Sequence, residues 1–341
     1  DLSRKKGIPK QSESYKDLCK LIQCLASHLK DQFTPYTGHL ILLLRNNLKW
    51  DARSTCSCIE SIIDCVKHEG VSTVRNIWLE CWSAIKKARE IIEVEGAMIW
   101  YFKLIEECVS SMGKDALTIR EIDEIAEIML STLTIDSRRT DRMDWSEQLL
   151  EVIMISFITF VHYIYTSFQS SGSTAFNCMI PVLPLIFSVI DKEIETDVEY
   201  GLDLCRTLLD VVPQEVLRFQ SEISSLLLVS LAYTNHKIVS IAACAFSSVA
   251  LTLPEWSSVA VNSLEDLCVM ITREDARSTD ESTQATELAL CAMGKILMNC
   301  CDGMDISEHL LFLIDRLHEI GPIQDMAESP CFYDLFADLY D

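Results

Sequence analysis

The feature that most constrains this chain is a pattern of apolar residues at helical spacing that comes in pairs of segments and keeps returning. Leu18, Leu21, Ile22, Leu25 and Leu29 share one face of a segment over 12–33, and Pro35 interrupts before a second segment over 39–48. Ile59, Ile62, Ile63 and Val66 mark 52–69; Val74, Ile77, Trp78, Cys81 and Ile85 mark 71–89. Each set follows the i, i+3, i+4, i+7 rule of an amphipathic helix. Gly70 and Gly113 stand where a helix C-terminal glycine belongs. Thr118 and Glu121 have the spacing of a capping box that opens a helix over 118–133.

Continued along the chain, the pattern predicts helix pairs over 12–48, 52–89, 91–133, 145–190, 193–233, 237–272 and 279–320, with a partial pair over 325–341. The first members begin near residues 12, 52, 91, 145, 193, 237, 279 and 325, and are thus 40, 39, 54, 48, 44, 42 and 46 residues apart. That spread brackets the period of about 40–47 residues seen in HEAT and armadillo arrays, and exceeds the roughly 33–34 of ankyrin and tetratricopeptide repeats. An isolated pair cannot hide its apolar face, so pairs stack into a continuous core. The expected fold is all-α: a HEAT-repeat α-solenoid, a right-handed superhelix of antiparallel helix pairs forming one array over 1–341. With 10 Gly and 8 Pro in 341 residues, the composition suits long helices with short joints.

Charge narrows the partners. The net charge of −22 is uneven: residues 1–89 hold 15 Lys and Arg against 9 Asp and Glu, a net of +6, and residues 90–341 hold 14 against 42, a net of −28. An acidic surface repels phosphate backbones, so no direct nucleic-acid ligand is expected, and basic protein segments are attracted. The opening Asp1-Leu2-Ser3-Arg4-Lys5-Lys6 leads into no apolar signal core and no initiator Met is present, which suggests a fragment of a longer protein. The fifteen cysteines show no paired framework and read as small buried hydrophobes in a reducing compartment. The run over 149–168 is long enough to span a bilayer but carries Glu151 and His162. A helix buried between repeats accounts for it, and no membrane insertion is expected.

No catalytic, cofactor or metal site emerges. Cys56 and Cys58 project about 200° apart on a helix, so they cannot readily share an ion with Cys65 and His68. Cys300 and Cys301 are adjacent and fail likewise, and His162 reads as a core histidine. Glycine-rich phosphate loops, nucleophile elbows and zinc-protease signatures are missing. In HEAT arrays the second helices present their polar faces to partners, which singles out Glu80 beside Asn76; Asp123, Glu124 and Glu127; and Glu265 and Asp266 beside Asn262. Each is also what an ordinary solvated face would hold. Trp78 and Trp82, four apart, are either core or an exposed platform.

Several stretches resemble the importin-β (karyopherin-β) family, and its importin-5 (karyopherin beta-3) subgroup in particular. They are Asn235-His236-Lys237-Ile238-Val239 with Ala242-Ala243-Cys244-Ala245; Asp275-Ala276-Arg277-Ser278-Thr279 with Ala285-Thr286-Glu287 and Ala292-Met293-Gly294-Lys295-Ile296; Ile180 to Ile186; and Cys108 to Gly113. The likeness is densest over 275–296 and implies the C-terminal portion of a nuclear transport receptor. It further implies basic cargo (nuclear localisation signals, ribosomal proteins or histones) on an acidic concave surface, nucleoporins and Ran-GTP as partners of the full-length protein, and shuttling between cytoplasm and nucleus. The subgroup's acidic insertion has a mixed-charge counterpart here, Asp136-Ser137-Arg138-Arg139-Thr140-Asp141-Arg142. Two rivals share the period or the composition: a HEAT scaffold or regulatory subunit of another complex, and an enzyme with an unrecognised site near 145–168.

Overall fold

The computed structural model describes residues 11–91, 95–114, 117–136, 144–168, 172–320 and 323. The partial pair over 325–341, the Gly321-Pro322 stop and the mixed-charge stretch from Ser137 to Arg142 lie outside them. Among the described residues every regular element is helical. The chain divides into two compact units, residues 1–185 and 186–341.

The first unit holds α1 (Gln11–Leu29), α2 (Thr34–Arg45), α3 (Ala52–Val66), α4 (Val71–Ile91), α5 (Glu95–Met112), α6 (Ile119–Asp136), α7 (Asp144–Ser167) and α8 (Gly172–Met179). Helices α1, α3, α5 and α7 pack one on the next as a first layer; in the second layer α2 lies against α4 and α6 against α8. This is helix-pair stacking, with Trp78, Phe102, Phe157, Phe160 and Phe176 fully buried. Asp51 caps α3 by accepting the Ser54 N–H at 3.0 Å. Gly70 and Gly113 have φ of 119° and 70°, a region costly for a side chain with a Cβ. Successive pairs are tied by tyrosines: Tyr15 to the Thr55 hydroxyl at 2.9 Å, Tyr101 to the Leu48 carbonyl at 3.0 Å, and the Leu117 N–H to the Tyr163 hydroxyl at 2.6 Å.

Helix α9 (Leu183–Val189) crosses the boundary, and the second unit continues with α10 (Glu195–Val211), α11 (Gln220–Leu231), α12 (His236–Thr252), α13 (Ser257–Asn262), α14 (Leu264–Ile271), α15 (Asp280–Asn299) and α16 (Ser307–Ile320). Helices α10, α12 and α15 form its first layer, and α11 and α14 meet in the second. Alanines at 242, 243 and 245 on α12 and at 285, 289 and 292 on α15 are buried and let backbones approach closely. Polar ties again recur one pair apart: Asn235 to Glu195 at 2.8 Å, and Arg273 to the Tyr233 carbonyl at 2.6 Å. The capping box that opens α15 is Thr279 with Ser282.

Three expectations are corrected. Of the continuous second helices expected, that over 174–190 is broken by a 3-10 turn at Ile180–Val182. That over 213–233 begins only at Gln220, after a 3-10 turn at Leu217–Phe219. That over 254–272 opens with a 3-10 turn at Pro254–Trp256 and splits into α13 and α14. Prolines at 181 and 254 lack the N–H an unbroken ladder needs. On α1 the buried side is Cys19, Ile22 and Ala26, whereas Leu18, Leu21, Leu25 and Leu29 are 38–55% exposed. Among the described residues no helix covers that flank. His162 is exposed on α7 and is no core histidine. Helix α7 is apolar and long enough to cross a membrane, and 61% of its span Gln148–Ser167 is buried, with α5 and α8 against it, in keeping with a helix packed between its neighbours.

Candidate functional site

The second-layer surface of the first unit is built from a ladder of cations, indoles and carboxylates. On α4, Trp78 and Trp82 stack with centroids 5.0 Å apart and planes 13° apart, both buried. Of the two readings left open by sequence, core packing holds. Their indole N–H groups point to α6: Trp78 donates to Glu121 Oε1 at 2.9 Å, and Trp82 to Glu124 Oε2 at 3.0 Å.

Glu121 is the hub. It closes the capping box by accepting the Thr118 N–H at 2.9 Å while its own N–H donates to the Thr118 hydroxyl at 3.2 Å. It also accepts from Arg75 Nη2 at 2.9 Å. Burial pushes its carboxyl up, but the Arg75 guanidinium, the Thr118 N–H and hydroxyl and the Trp78 indole outweigh that and hold it at about 2, against an ordinary 4.5. Sequence reasoning found Glu121 only as a cap. Its second role needs Arg75 and Trp78, three apart on another helix and so on one face, which only the pair stacking brings alongside.

Glu124 is less free than its outward position suggests. Lys86 reaches its Oε2 at 2.7 Å and Arg120 its Oε1 at 3.2 Å, and its carboxyl is lowered, first by Lys86. Glu80 on α4 forms an ion pair with Arg45 on α2. Asp123 and Glu127, one turn apart on α6, are exposed; Asp123 also faces Cys178 of α8 and, after burial, helps raise that thiol. In the second unit Glu265 and Asp266 are exposed in the first turn of α14, where carboxylates also complement the helix dipole. Glu265 and Glu308 of α16 both raise the Cys268 thiol, pushed by burial first to about 11, so carboxylates gather there.

The second layer of the first unit is not uniformly acidic. Between α2 and α4 runs a furrow whose one end is lined by Arg45, Lys49 and Lys87 against a single carboxylate, Glu80. The +6 charge of residues 1–89 was the available signal. As for metals, among the described residues no three His, Cys, Asp or Glu side chains converge on one ion. Cys58 meets Cys19 of α1, while Cys56 lies near Cys81 and Cys108.

No protein-family model matches the chain, and no curated protein matches it in sequence. Solved structures do. The karyopherin Kap121p bound to the SUMO protease Ulp1p aligns with a TM-score of 0.70 at 15% identity, covering 96% of this chain and 31% of that one. Kap121p bound to Nup53p and Kap121p bound to RanGTP each align at 0.69 and 15%, with the same coverage. The chain spans about a third of the length of these neighbours. At such identity the likeness speaks for the fold alone: the chain has the all-α HEAT-solenoid fold of a karyopherin.

Proposed function

We propose that this chain is part of a nuclear transport receptor of the importin-β type, which holds basic protein cargo through carboxylates on its second-layer helices and performs no chemistry. The observation that carries the reading is the karyopherin likeness over 96% of the chain, together with exposed carboxylates at Asp123, Glu127, Glu265 and Asp266. Glu80 and Glu124 belong to the same surface but are already paired within the chain, so they set its geometry and contribute less to cargo. This reading takes 1–341 as one array of seven to eight helix pairs. Cargo segments rich in lysine and arginine, such as localisation signals, ribosomal proteins or histones, fit exposed carboxylates. No cofactor or metal has a part. Ran-GTP and nucleoporins are partners of the longer receptor, which shuttles between cytoplasm and nucleus; structures of Kap121p with RanGTP and with Nup53p support that extension.

The experiment is capture of a labelled lysine- and arginine-rich localisation peptide, and its release from the longer receptor by Ran-GTP. Binding that is strongly weakened in the D123K/E127K/E265K/D266K variant and reversed by Ran-GTP is the expected result. Indifference to Ran-GTP, with recovery of phosphatase or kinase subunits from cytosol, would instead establish a HEAT scaffold of another complex.

A further inference from the structure

The furrow between α2 and α4 is chemically unlike the rest of the proposed cargo surface. Its basic end has a volume of 240 Å³ and is lined by Arg45 at the end of α2, Lys49 in the turn after it, and Glu80 and Lys87 from α4. Lys49 and Lys87 are exposed, and the one carboxylate present is committed to Arg45. The end therefore offers net positive charge on a protein whose total is −22. Beyond Glu80, which lines both parts, the furrow widens to 470 Å³ and becomes more apolar, although Thr37, His39, Thr73 and Asn76 also line it. Ile41 and Ile77 form a buried floor, and Leu42 and Leu79 form walls that are 43% and 48% exposed.

Gly38 provides an independent observation. It lies inside α2, where glycine is the least favourable residue after proline. Its φ is not positive, so no backbone need selects it. A Cβ placed there would meet nothing within 4 Å, so no helix packing selects it either. What the missing side chain does is leave the apolar half of the furrow open.

We propose that this furrow is a docking site for an acidic peptide segment that carries apolar residues beside a run of carboxylates. Its leucine-like side chains lie over Gly38 between Leu42 and Leu79, and its carboxylates reach the exposed Lys49 and Lys87. The division into an apolar and a cationic half favours such a peptide over a bare phosphate, which has no use for the apolar half. It also runs opposite to the basic cargo proposed above, so the two can be tested independently.

The probe is a fluorescein-labelled twelve-residue peptide with two leucines followed by a glutamate run, titrated by fluorescence anisotropy. Wild-type protein is expected to bind it in a salt-sensitive manner. K49E/K87E should weaken it at least tenfold, and Gly38→Leu at least fivefold with no fall in thermal midpoint. No binding by the wild type, or affinity unchanged in both variants, overturns the proposal. So does displacement of the peptide by inorganic tripolyphosphate, combined with a loss in K49E/K87E but not in Gly38→Leu, since that would mark a phosphate site.

Discussion

Two glutamates of the first unit have opposite electrostatic fates. Glu121, held at about 2, is ionised and satisfied by Arg75, Thr118 and Trp78. Because its folded-state value lies below the ordinary 4.5, its contribution is fully present above that pH and is lost as pH falls toward 2. Glu121→Gln leaves Arg75 without its partner, and a loss of about 3 kcal/mol is expected at pH 7, on the scale for breaking a buried pair. Urea unfolding at pH 7 and pH 3 checks it; an undiminished difference at pH 3 would refute the electrostatic account. Glu60 is the reverse case. Its Oε1 is buried without a hydrogen-bond partner, and burial, then Glu107, raise its carboxyl. A raised carboxyl means ionisation opposes folding, so Glu60→Gln should raise the thermal midpoint at pH 7, with the gain fading as pH falls to about 4. A midpoint lower than wild type at pH 7 would show that the ionised form has support.

At the scale of helices, the sequence and the structure agree at several stops and starts that have their own local chemistry. Gly70 and Gly113 end helices through positive φ, and Thr118 with Glu121 opens α6. Disagreement comes where tertiary packing decides. The leucines of α1 have the right spacing for a core face, but Cys19, Ile22 and Ala26 are the side that meets α3. Periodicity marks a stripe without saying which edge of it a neighbour covers. The site was legible to a similar extent. Helical spacing placed Asp123 and Glu127 outward and Arg120 four residues before Glu124, while Arg45 and Lys86, which pair with Glu80 and Glu124, sit on other helices and are invisible to any local reading. Gly201 shows how tight the inter-helix fit is. A Cβ there would lie 2.8 Å from Ile190 Cδ1 and 3.1 Å from Leu226 Cδ2. Gly201→Ala can be relieved by rotating Ile190, but Gly201→Val needs α10 to move, and about 1–3 kcal/mol should be lost. Thermal unfolding of both variants tests this; equal midpoints would mean that α11 yields more easily than its packing indicates.

For the whole molecule, charge is the property that one helix cannot reveal. Residues 1–185 carry 21 Lys and Arg against 24 Asp and Glu, a net of −3, and residues 186–341 carry 8 against 27, a net of −19. Nearly all of the acidic excess belongs to the second unit, although both units display exposed carboxylates on second-layer helices. Asp123 and Glu127 share their helix layer with Lys86, Lys87 and Arg120, so a basic peptide near them meets mixed charge. Glu265 and Asp266 have Glu308 for company instead. An exposed ion pair contributes roughly 0.2–1 kcal/mol, and reversing a charge replaces attraction with repulsion of similar size. E265K/D266K is therefore expected to weaken a polylysine-type peptide about tenfold at 50 mM salt, and D123K/E127K only about threefold. Both effects should fall below about twofold at 0.5 M salt, where screening acts within roughly 4–5 Å. Anisotropy titrations at the two salt concentrations decide the matter: equal losses, or losses that persist in high salt, would mean that cargo is held by local shape and apolar contact, not by the field of the acidic unit.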